Sequence, residues 1–310
     1  PGHYTGSFIF NNPINADPTA SITVRSATGN AADVIISDST YSSTFTVLGH
    51  ASISSTIFEN LTFKTYKSTP NLLFSCNTNN GDVTISGCVF TSVNTPSSTF
   101  SGFRASNNNA QPTSNKLTIS DCKFYNTGSL IQIPDSLLFS NNDYTNSPLN
   151  IEDASLIGID GNTFSSASNI SITDNQGKVY YTRNQHLASS LKIDEYTSGN
   201  TDTVFVINNL FTSVSLLYNQ REAVVANNTF TVTNISDVLH FKGSSTLHNT
   251  NAHVYNNIFQ QLGAGNIYNV SGDYLSLTAD YNIYYAIDSI LNGGYTNNSI
   301  FTFPLTLSTW

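Results

Sequence analysis

Short segments of alternating apolar and polar residues recur along this chain, and each ends in a polar pair followed by an aromatic residue. The segments VFVINNLF (204–211), AVVANNTF (223–230) and AHVYNNIF (252–259) show the pattern most clearly. Alternate residues of a β-strand point to opposite faces of its sheet, so each segment predicts a strand with one buried face that runs into a tight bend. Related segments end at Phe63, Phe90, Phe124, Tyr144, Phe164 and, with His in the aromatic position, His186.

The closing aromatic positions are 19 to 34 residues apart, which is the range in which repeats stack into solenoids. A second apolar run follows most of them after a short polar turn, as in LKID at 191–194. Each repeat therefore predicts one coil of at least two strands. No segment shows sustained helical periodicity, and Ser, Thr and Asn are unfavourable in helix interiors. Successive coils are therefore expected to pair in parallel.

One column of the aligned repeats, two residues before the aromatic position, is mostly Asn. Stacked in successive coils, these side chains predict an internal ladder in which each amide bonds to its neighbours above and below. Two earlier coils carry Cys88 and Cys122 in this column. These two cysteines either form a disulfide between adjacent coils or remain thiols that fill the space of the amide. The predicted ladder consists of Asn142, Asn162, Asn184, Asn209, Asn228 and Asn257.

This succession of strand, Asn bend and aromatic residue resembles the right-handed parallel β-helix proteins of the pectin-lyase-like superfamily, and among them the non-catalytic surface proteins. The opening PGHYTGSFIF and the closing FTFPLTLSTW are similar to the first and last coils of such domains. The resemblance implies an all-β, single-domain, right-handed parallel β-helix of about ten coils. The expected domain covers residues 1–310, with N-terminal coils at 1–63, central coils at 64–285, and a C-terminal cap or a link to further sequence at 286–310.

The composition favours an extracellular protein, secreted or on a cell surface. Only 10% of the 310 residues are charged and the formal net charge is −9, so the expected surface is polar but weakly charged. The lack of basic patches argues against nucleic acid as a partner, and no apolar run approaches the about 20 residues of a membrane span. The chain contains no Met, which favours a mature or excised part of a longer secreted protein. No cofactor is expected.

Three histidines, His240, His248 and His253, lie close together in the sequence. Their spacing matches no common pattern of metal ligands on a helix or on paired strands, and Asp237 is their one acidic neighbour. No metal site is therefore predicted.

The chain also contains six sequons for N-glycosylation. A sequon in a secreted protein marks a candidate glycan site, although in a chain this rich in Asn, Ser and Thr the motif also arises by chance. The six candidates are Asn60, Asn169, Asn227, Asn234, Asn269 and Asn297.

Charged residues are concentrated in one coil, residues 174–195. In a polysaccharide lyase or glycoside hydrolase, Lys192 or His186 of this coil would act as the base and Arg183 would bind a carboxylate or oxyanion, with Glu195 as a further candidate. The alternative is a solvated coil whose charges pair with one another and in which His186 replaces the aromatic residue. Apart from one Asn-Thr-Asp segment, the motifs expected of polygalacturonases and pectate lyases are missing, so catalysis is the alternative hypothesis.

An outward-facing column, six residues before the aromatic position, becomes apolar in successive coils. A contiguous apolar surface usually marks a contact, and the cover is either a segment of the same chain or another chain. The predicted interface consists of Leu138, Tyr180, Phe205, Ile207 and Val224.

These features favour a structural or adhesive β-solenoid module of an extracellular surface protein or filament. Such a module acts by self-association, by glycan contact, or by both. The expected partners are further copies of the chain, neighbouring domains of a longer chain, or carbohydrate. The alternative function is a carbohydrate-active enzyme that uses the coil 174–195, since this fold hosts both classes of protein.

Overall fold

The protein is almost entirely β-structure. The computed structural model describes residues 2–6, 8–11, 21–38, 43–48, 55–66, 72–77, 81–93, 102–106, 116–132, 135–173, 177–194, 203–212, 215–218, 222–233, 237–242, 250–272, 275–286, 289–295 and 300–302. Within these ranges the helical structure is a single 3-10 turn at Ala31–Asp33. Consequently, none of the described segments forms a helix that could cross a membrane.

The strands, numbered in chain order, form three parallel sheets, and every third strand belongs to the same sheet. The first sheet contains β1 (Gly2–Thr5), β4 (Val34–Asp38), β7 (Thr62–Thr65), β10 (Val89–Ser92), β13 (Lys123–Tyr125), β16 (Asp143–Thr145), β19 (Thr163–Ser165), β22 (Gln185–Leu187), β25 (Leu210–Phe211), β28 (Thr229–Val232), β31 (Ile258–Gln261) and β34 (Ile283–Ala286). The second contains β2 (Phe8–Asn11), β5 (Ser43–Leu48), β8 (Leu72–Asn77), β11 (Gly102–Ser106), β14 (Gly128–Gln132), β17 (Leu149–Glu152), β20 (Ile170–Thr173), β23 (Leu191–Asp194), β26 (Ser215–Tyr218), β29 (Leu239–Lys242), β32 (Asn266–Gly272) and β35 (Ser289–Tyr295). The third contains β3 (Ser21–Arg25), β6 (Ser55–Glu59), β9 (Asp82–Ser86), β12 (Lys116–Ser120), β15 (Ser136–Ser140), β18 (Leu156–Asp160), β21 (Lys178–Thr182), β24 (Thr203–Ile207), β27 (Glu222–Ala226), β30 (Thr250–Tyr255), β33 (Leu275–Asp280) and β36 (Ile300–Thr302).

This topology is a parallel β-helix, because each strand pairs with the strands three positions before and after it. The predicted all-β solenoid fold is therefore confirmed. Among the described residues, the twelve strands of each sheet give twelve coils rather than about ten, and each coil has three strands, which agrees with the expected minimum of two. The third strand has a local cause: the repeated segment spans two strands, since β24 ends at Ile207 and β25 begins at Leu210. The first coils also lack the Asn-aromatic motif from which the repeats were counted.

The polar pair at each bend has two different roles. The first residue adopts the left-handed conformation, with φ of 60° at Asn208 and 57° at Asn227, and it is exposed. Asn tolerates this conformation better than most residues with a side chain. The second residue, Asn209 or Asn228, turns inwards and is buried. The Asn-Asn pair is therefore explained by one residue that makes the bend and one that fills its interior.

The core consists of the inward residues of the three sheets and the stacked aromatic positions. The rings of Phe211, Phe230 and Phe259 stack with centroid distances of 4.9 and 4.8 Å and lie within 7° of parallel. Their register follows from the parallel pairing of β25 with β28 and of β28 with β31. Each ring is fully buried, so each of these three coils contributes one aromatic ring to a continuous stack.

The residues cluster into two compact units. One consists of Pro1–Leu156 with Ser165–Ser168, and the other of Ile157–Phe164 with Asn169–Trp310. The first unit has its own aromatic stack, in which Phe90 and Phe124 lie 4.9 Å apart. The second unit contains the charged coil and most of the predicted interface.

Candidate functional site

The outward face of the third sheet carries a contiguous apolar surface on β21, β24 and β27. We define the apolar patch as Tyr180, Phe205, Ile207 and Val224. Parallel pairing places Tyr180 beside Phe205 and Phe205 beside Val224. The Tyr180 and Phe205 rings stack with a centroid distance of 5.0 Å and an interplanar angle of 5°. Alternation produces this face, because Val179, Tyr181, Val204 and Val206 point inwards and are buried.

The side chains of the patch remain accessible to solvent. Tyr180 is 39% exposed, and Phe205, Ile207 and Val224 are partly buried. Parallel pairing places each of these side chains beside residues of the adjacent strands of the same sheet. Leu138, the fifth residue of the predicted interface, is partly buried on the outward face of β15 in the other unit.

Opposite charges border the apolar patch. Lys178 and Glu222 are exposed and point outwards from the first residues of β21 and β27. Both pair with Thr203 of the central strand, so the three residues form one column across the sheet. Neither charge takes part in an ion pair within the part of the chain that the structure describes. The pattern analysis missed this pair, because Lys178 belonged to the charged coil and Glu222 to a separate repeat.

His186, proposed as a base in the enzyme hypothesis, lies in the core. It is fully buried between Phe164 and Phe211, with ring centroids 5.1 and 4.7 Å away. The Ser189 hydroxyl donates to the Phe164 carbonyl oxygen, so it accepts from His186 Nδ1 over 2.9 Å. Nε2 is then unprotonated and accepts from the Tyr181 hydroxyl. His186 replaces the aromatic residue and has no access to a substrate.

Burial also keeps His186 neutral. Removal from solvent lowers the pKa of its imidazole from 6.5 to about 3, and a hydrogen bond with the Ser189 backbone acts in the opposite direction. A base used near neutral pH needs a pKa close to the working pH. The environment of His186 therefore suits a structural side chain.

The other members of the catalytic hypothesis do not converge on a common point. Arg183 occupies the bend with φ of 55° and binds both carboxylate oxygens of Asp160 through its guanidinium. This contact lowers the pKa of the Asp160 carboxyl. Lys192 lies on the second sheet and pairs with Asp194 at 3.0 Å. Glu195 is outside the described residues. Arg183 and Lys192 therefore each pair with a carboxylate, and only the partner of Lys192 belongs to the same coil.

The Asn column forms a hydrogen-bonded ladder inside the second unit. Asn209 shows the pattern: its backbone N–H and its Nδ2 both donate to Oδ1 of Asn228, at 2.8 and 3.0 Å. The same Nδ2 donates to the carbonyl oxygen of Tyr181, one coil earlier, at 2.9 Å. Equivalent bonds join Asn162 to Asn184, Asn184 to Asn209, Asn228 to Asn257, and Asn257 to Asn282.

Two consequences of this ladder go beyond the sequence pattern. Asn282 accepts a hydrogen bond from Asn257 and continues the ladder. Its repeat has Tyr284, rather than Phe, in the aromatic position. In the other unit, Asn142 Oδ1 accepts from the backbone N–H of Cys122, and its Nδ2 donates to the Ile119 carbonyl oxygen. Amides of the column thus bind backbone groups, and from Asn162 to Asn257 each also bonds to the next Asn side chain.

Cys88 and Cys122 are separate, buried thiols in the structure. The Cys122 thiol donates to the carbonyl oxygens of Ile85 and Ser120, and the Cys88 thiol to those of Phe58 and Ser86. These acceptors correspond to those that an Asn amide uses elsewhere in the column. Burial raises the pKa of the Cys122 thiol, which keeps it protonated as a donor. Both cysteines are therefore thiols that take the place of the Asn amide, and no disulfide joins them in the structure.

A second internal ladder consists of hydroxyl groups. The backbone N–H of Thr127 donates to Ser147 Oγ, and that of Ser147 donates to Ser168 Oγ, both at 3.0 Å. Asn126 and Asn146, with φ of 52° and 49°, make the bend that precedes each hydroxyl. Sequence reasoning missed this ladder because Ser and Thr occur throughout the chain. The signal that could have found it is a hydroxyl residue three residues after Phe124 and Tyr144 and four residues after Phe164.

The sequons differ in the accessibility of their Asn side chains. Asn227 is exposed at a bend, whereas Asn60 is partly buried. Asn169 is exposed, and its Oδ1 accepts from Ser190. Asn269 is partly buried, and its Nδ2 donates to Asp237 over 2.6 Å. Asn234 and Asn297 lie outside the described residues.

The histidines considered as metal ligands are separated in the structure. His240 lies on β29 of the second sheet, where Nε2 is 3.0 Å from Ser271 Oγ. His253 is exposed on β30 of the third sheet, and His248 is outside the described ranges. No group of three or more His, Cys, Asp or Glu side chains suited to a metal ion occurs in those ranges.

Comparison with known proteins gave no match to this chain among protein-family models, curated proteins or solved structures. The functional assignment therefore rests on the residues and geometry described above.

Proposed function

We propose that this chain is a structural or adhesive β-helix module of an extracellular surface protein or filament, and that it acts through the apolar patch of the third sheet. The observation that carries the proposal is the in-register series Tyr180, Phe205 and Val224 on an outward sheet face. Apolar surface exposed to water costs roughly 25 cal/mol per Å² relative to buried surface, so its burial against a partner favours association.

The weak surface charge supports an extracellular location, and the regular ladders support a load-bearing or spacing role. Parallel sheets and internal amide bonds give each coil the same rigid backbone, so the outward side chains keep a fixed spacing of about 4.8 Å between coils. A surface of this kind suits repeated contacts with glycans or partner chains. The three parallel sheets and the Asn ladder likewise support placement in the pectin-lyase-like superfamily, which we propose on this basis.

The alternative function, a carbohydrate-active enzyme, has less support. His186 is fully buried, Arg183 binds Asp160, and Lys192 pairs with Asp194 on another sheet. General acid–base catalysis on a polysaccharide needs such groups within hydrogen-bonding reach of one bond. The described residues of this coil do not provide that arrangement.

Paired substitution of the patch tests the proposed function. Phe205→Asp with Val224→Asp places two carboxylates on the patch, and we expect association between chains, followed by sedimentation velocity, to fall at least about tenfold because charge is costly to bury at an interface. Thermal unfolding followed by circular dichroism should change little. Unchanged association with a clearly lower melting temperature would mean that the chain itself covers the patch.

A matched control exists in the other unit. Thr84→Asp with Thr118→Asp changes two outward residues that occupy the same column on adjacent strands and are also paired in register. These substitutions should leave association unchanged. Binding of the unmodified chain to a glycan array, without self-association, would instead assign the patch to carbohydrate contact.

A further inference from the structure

We infer that the apolar patch binds a second copy of this chain in a symmetric dimer, with the two-fold axis parallel to β24. This inference rests on the proposed function and specifies its partner. It follows from the order of side chains across β18, β21, β24, β27 and β30, five successive strands of the third sheet. All the residues that the proposed contacts bring together belong to the second compact unit.

The symmetry fixes which residues meet. Rotation by 180° about an axis along β24 turns the two faces towards each other, keeps the strand direction and reverses the order of the coils. A residue one strand before β24 therefore faces the residue in the same column one strand after it. Phe205 and Thr203 lie on the central strand and face their own copies. An interface that is the same on both subunits has this property.

The charges that border the patch are complementary in this arrangement. Lys178, on the strand before β24, faces Glu222 of the second copy, because both share the column of Thr203. The symmetry repeats the contact, so a dimer contains two such pairs. Sheets that pack face to face lie about 10 Å apart, a gap that a Lys and a Glu side chain can bridge together. Both residues are exposed in the single chain and free to reorient.

The sizes of the apolar side chains are also complementary. Tyr180 faces Val224 of the second copy, so a large ring meets a small side chain on each side of Phe205. On β18, one strand further out, Gly158 lies six residues before Phe164, just as Tyr180 lies six residues before His186. Phe164 stacks on His186. Gly158 therefore lies in the same column and faces the exposed His253 of the second copy. Alternation of large and small residues across an interface allows close packing.

A second face-to-face arrangement has its two-fold axis along the direction in which the coils stack, and it lacks the complementary charges and sizes. It would keep the order of the coils and reverse the strands, so Tyr180 would meet Tyr180. Lys178 would face the Thr182 column, and Glu222 would face the column of Ala226. Neither charge would gain a partner. Charge complementarity therefore selects the axis along β24.

The size of the surface predicts a weak dimer. Five strands with three outward residues each cover roughly 20 by 14 Å. This is smaller than the about 800 Å² per partner that stable complexes bury. Association should therefore be reversible and depend on protein concentration, and the two charge pairs should have a clear effect on it.

Charge reversal tests the proposed axis. Lys178→Glu alone places Glu opposite Glu at two points of the dimer, and Glu222→Lys alone places Lys opposite Lys. Each single variant should dimerise about tenfold more weakly than the unmodified chain in sedimentation velocity at low salt. An equimolar mixture of the two variants should recover the association, because each copy then faces the opposite charge at both points.

Lys116→Glu is the matched control, since Lys116 begins β12 of the same sheet and lies outside the five strands. It changes the net charge equally and should leave dimerisation intact. Single variants that associate like the unmodified chain, or a mixture that stays monomeric, would overturn the axis along β24. If Phe205→Asp with Val224→Asp still abolished association, the patch would remain an interface in another orientation, and the proposed function would stand.

Discussion

At the residue scale, the positions that depart from the repeat show what each column requires. His186 occupies an aromatic position and keeps the stack continuous, but its two nitrogens need Ser189 and Tyr181 as partners. Arg183 occupies the bend position that usually holds Asn, Asp or Gly, and its partner Asp160 lies 23 residues earlier in the sequence. The replacement of an aromatic residue by His186 could be recognised from the spacing of the repeats. The partner of Arg183 could not, because it depends on the register between coils.

The neutral His186 predicts a specific dependence of stability on pH. Its pKa is about 3 in the folded chain and about 6.5 when unfolded, so the unfolded state takes up a proton first as the pH falls. The contribution of neutral His186 to the free energy of unfolding is fully present above pH 6.5 and is lost as the pH falls from 6.5 to 3. The resulting loss between pH 7 and pH 4 is about 3 kcal/mol. Urea unfolding of the unmodified chain and of His186→Phe at both pH values measures this difference.

We expect the free energy of unfolding of His186→Phe to depend less on pH, since Phe fills the aromatic position without a titratable group. Tyr181→Phe serves as the control, because it removes the hydroxyl partner and retains the buried imidazole. Its pH dependence should resemble that of the unmodified chain. Equal slopes for His186→Phe and the unmodified chain would show that His186 does not titrate as its burial implies.

At the scale of the strand and bend, alternation made the inward face of each strand predictable. The alternation in VFVINNLF puts Val204 and Val206 on one face of the strand, and both are buried. The short strand after the bend was not separated, because β25 has two residues and shows no alternation of its own. The hydroxyl ladder of Thr127 and Ser147 was also missed, since Ser and Thr form many exposed turns in this chain.

Asn209 provides the test of the amide ladder. Its side chain donates to Tyr181, Ile207 and Asn228 and accepts from Asn184. Asn209→Leu removes these bonds and leaves buried polar groups without partners, so the free energy of unfolding should fall by about 1–3 kcal/mol. Equilibrium urea unfolding at neutral pH is the measurement.

Asn208→Gly is the matched control for this variant. Asn208 is exposed, and its φ of 60° suits Gly, so the free energy of unfolding should change by less than about 0.5 kcal/mol. An Asn209→Leu chain as stable as the control would mean that the inward amides contribute nothing to the bend.

At the scale of the whole molecule, a regular backbone carries an irregular surface. The fold class followed from the sequence because the repeats are stacked many times, so an error in one coil did not change the conclusion. The apolar column from Tyr180 to Val224 was also visible in the aligned repeats. The relation between Lys178 and Glu222 needed the pairing of three strands, which no single repeat contains. The proposed function therefore depends on how neighbouring coils differ.

Chemical cross-linking at Thr203 tests the central claim most directly. Thr203 lies on the central strand and faces its own copy across the proposed axis, while Cys76, Cys88 and Cys122 are buried. Because the facing sheets lie about 10 Å apart, too far for a direct disulfide, Thr203→Cys should form a covalent dimer with a bis-maleimide whose spacer spans that gap, and Thr118→Cys on β12 should remain without covalent dimer under the same conditions. A Thr203→Cys chain that gives no more covalent dimer than Thr118→Cys would contradict association through this face.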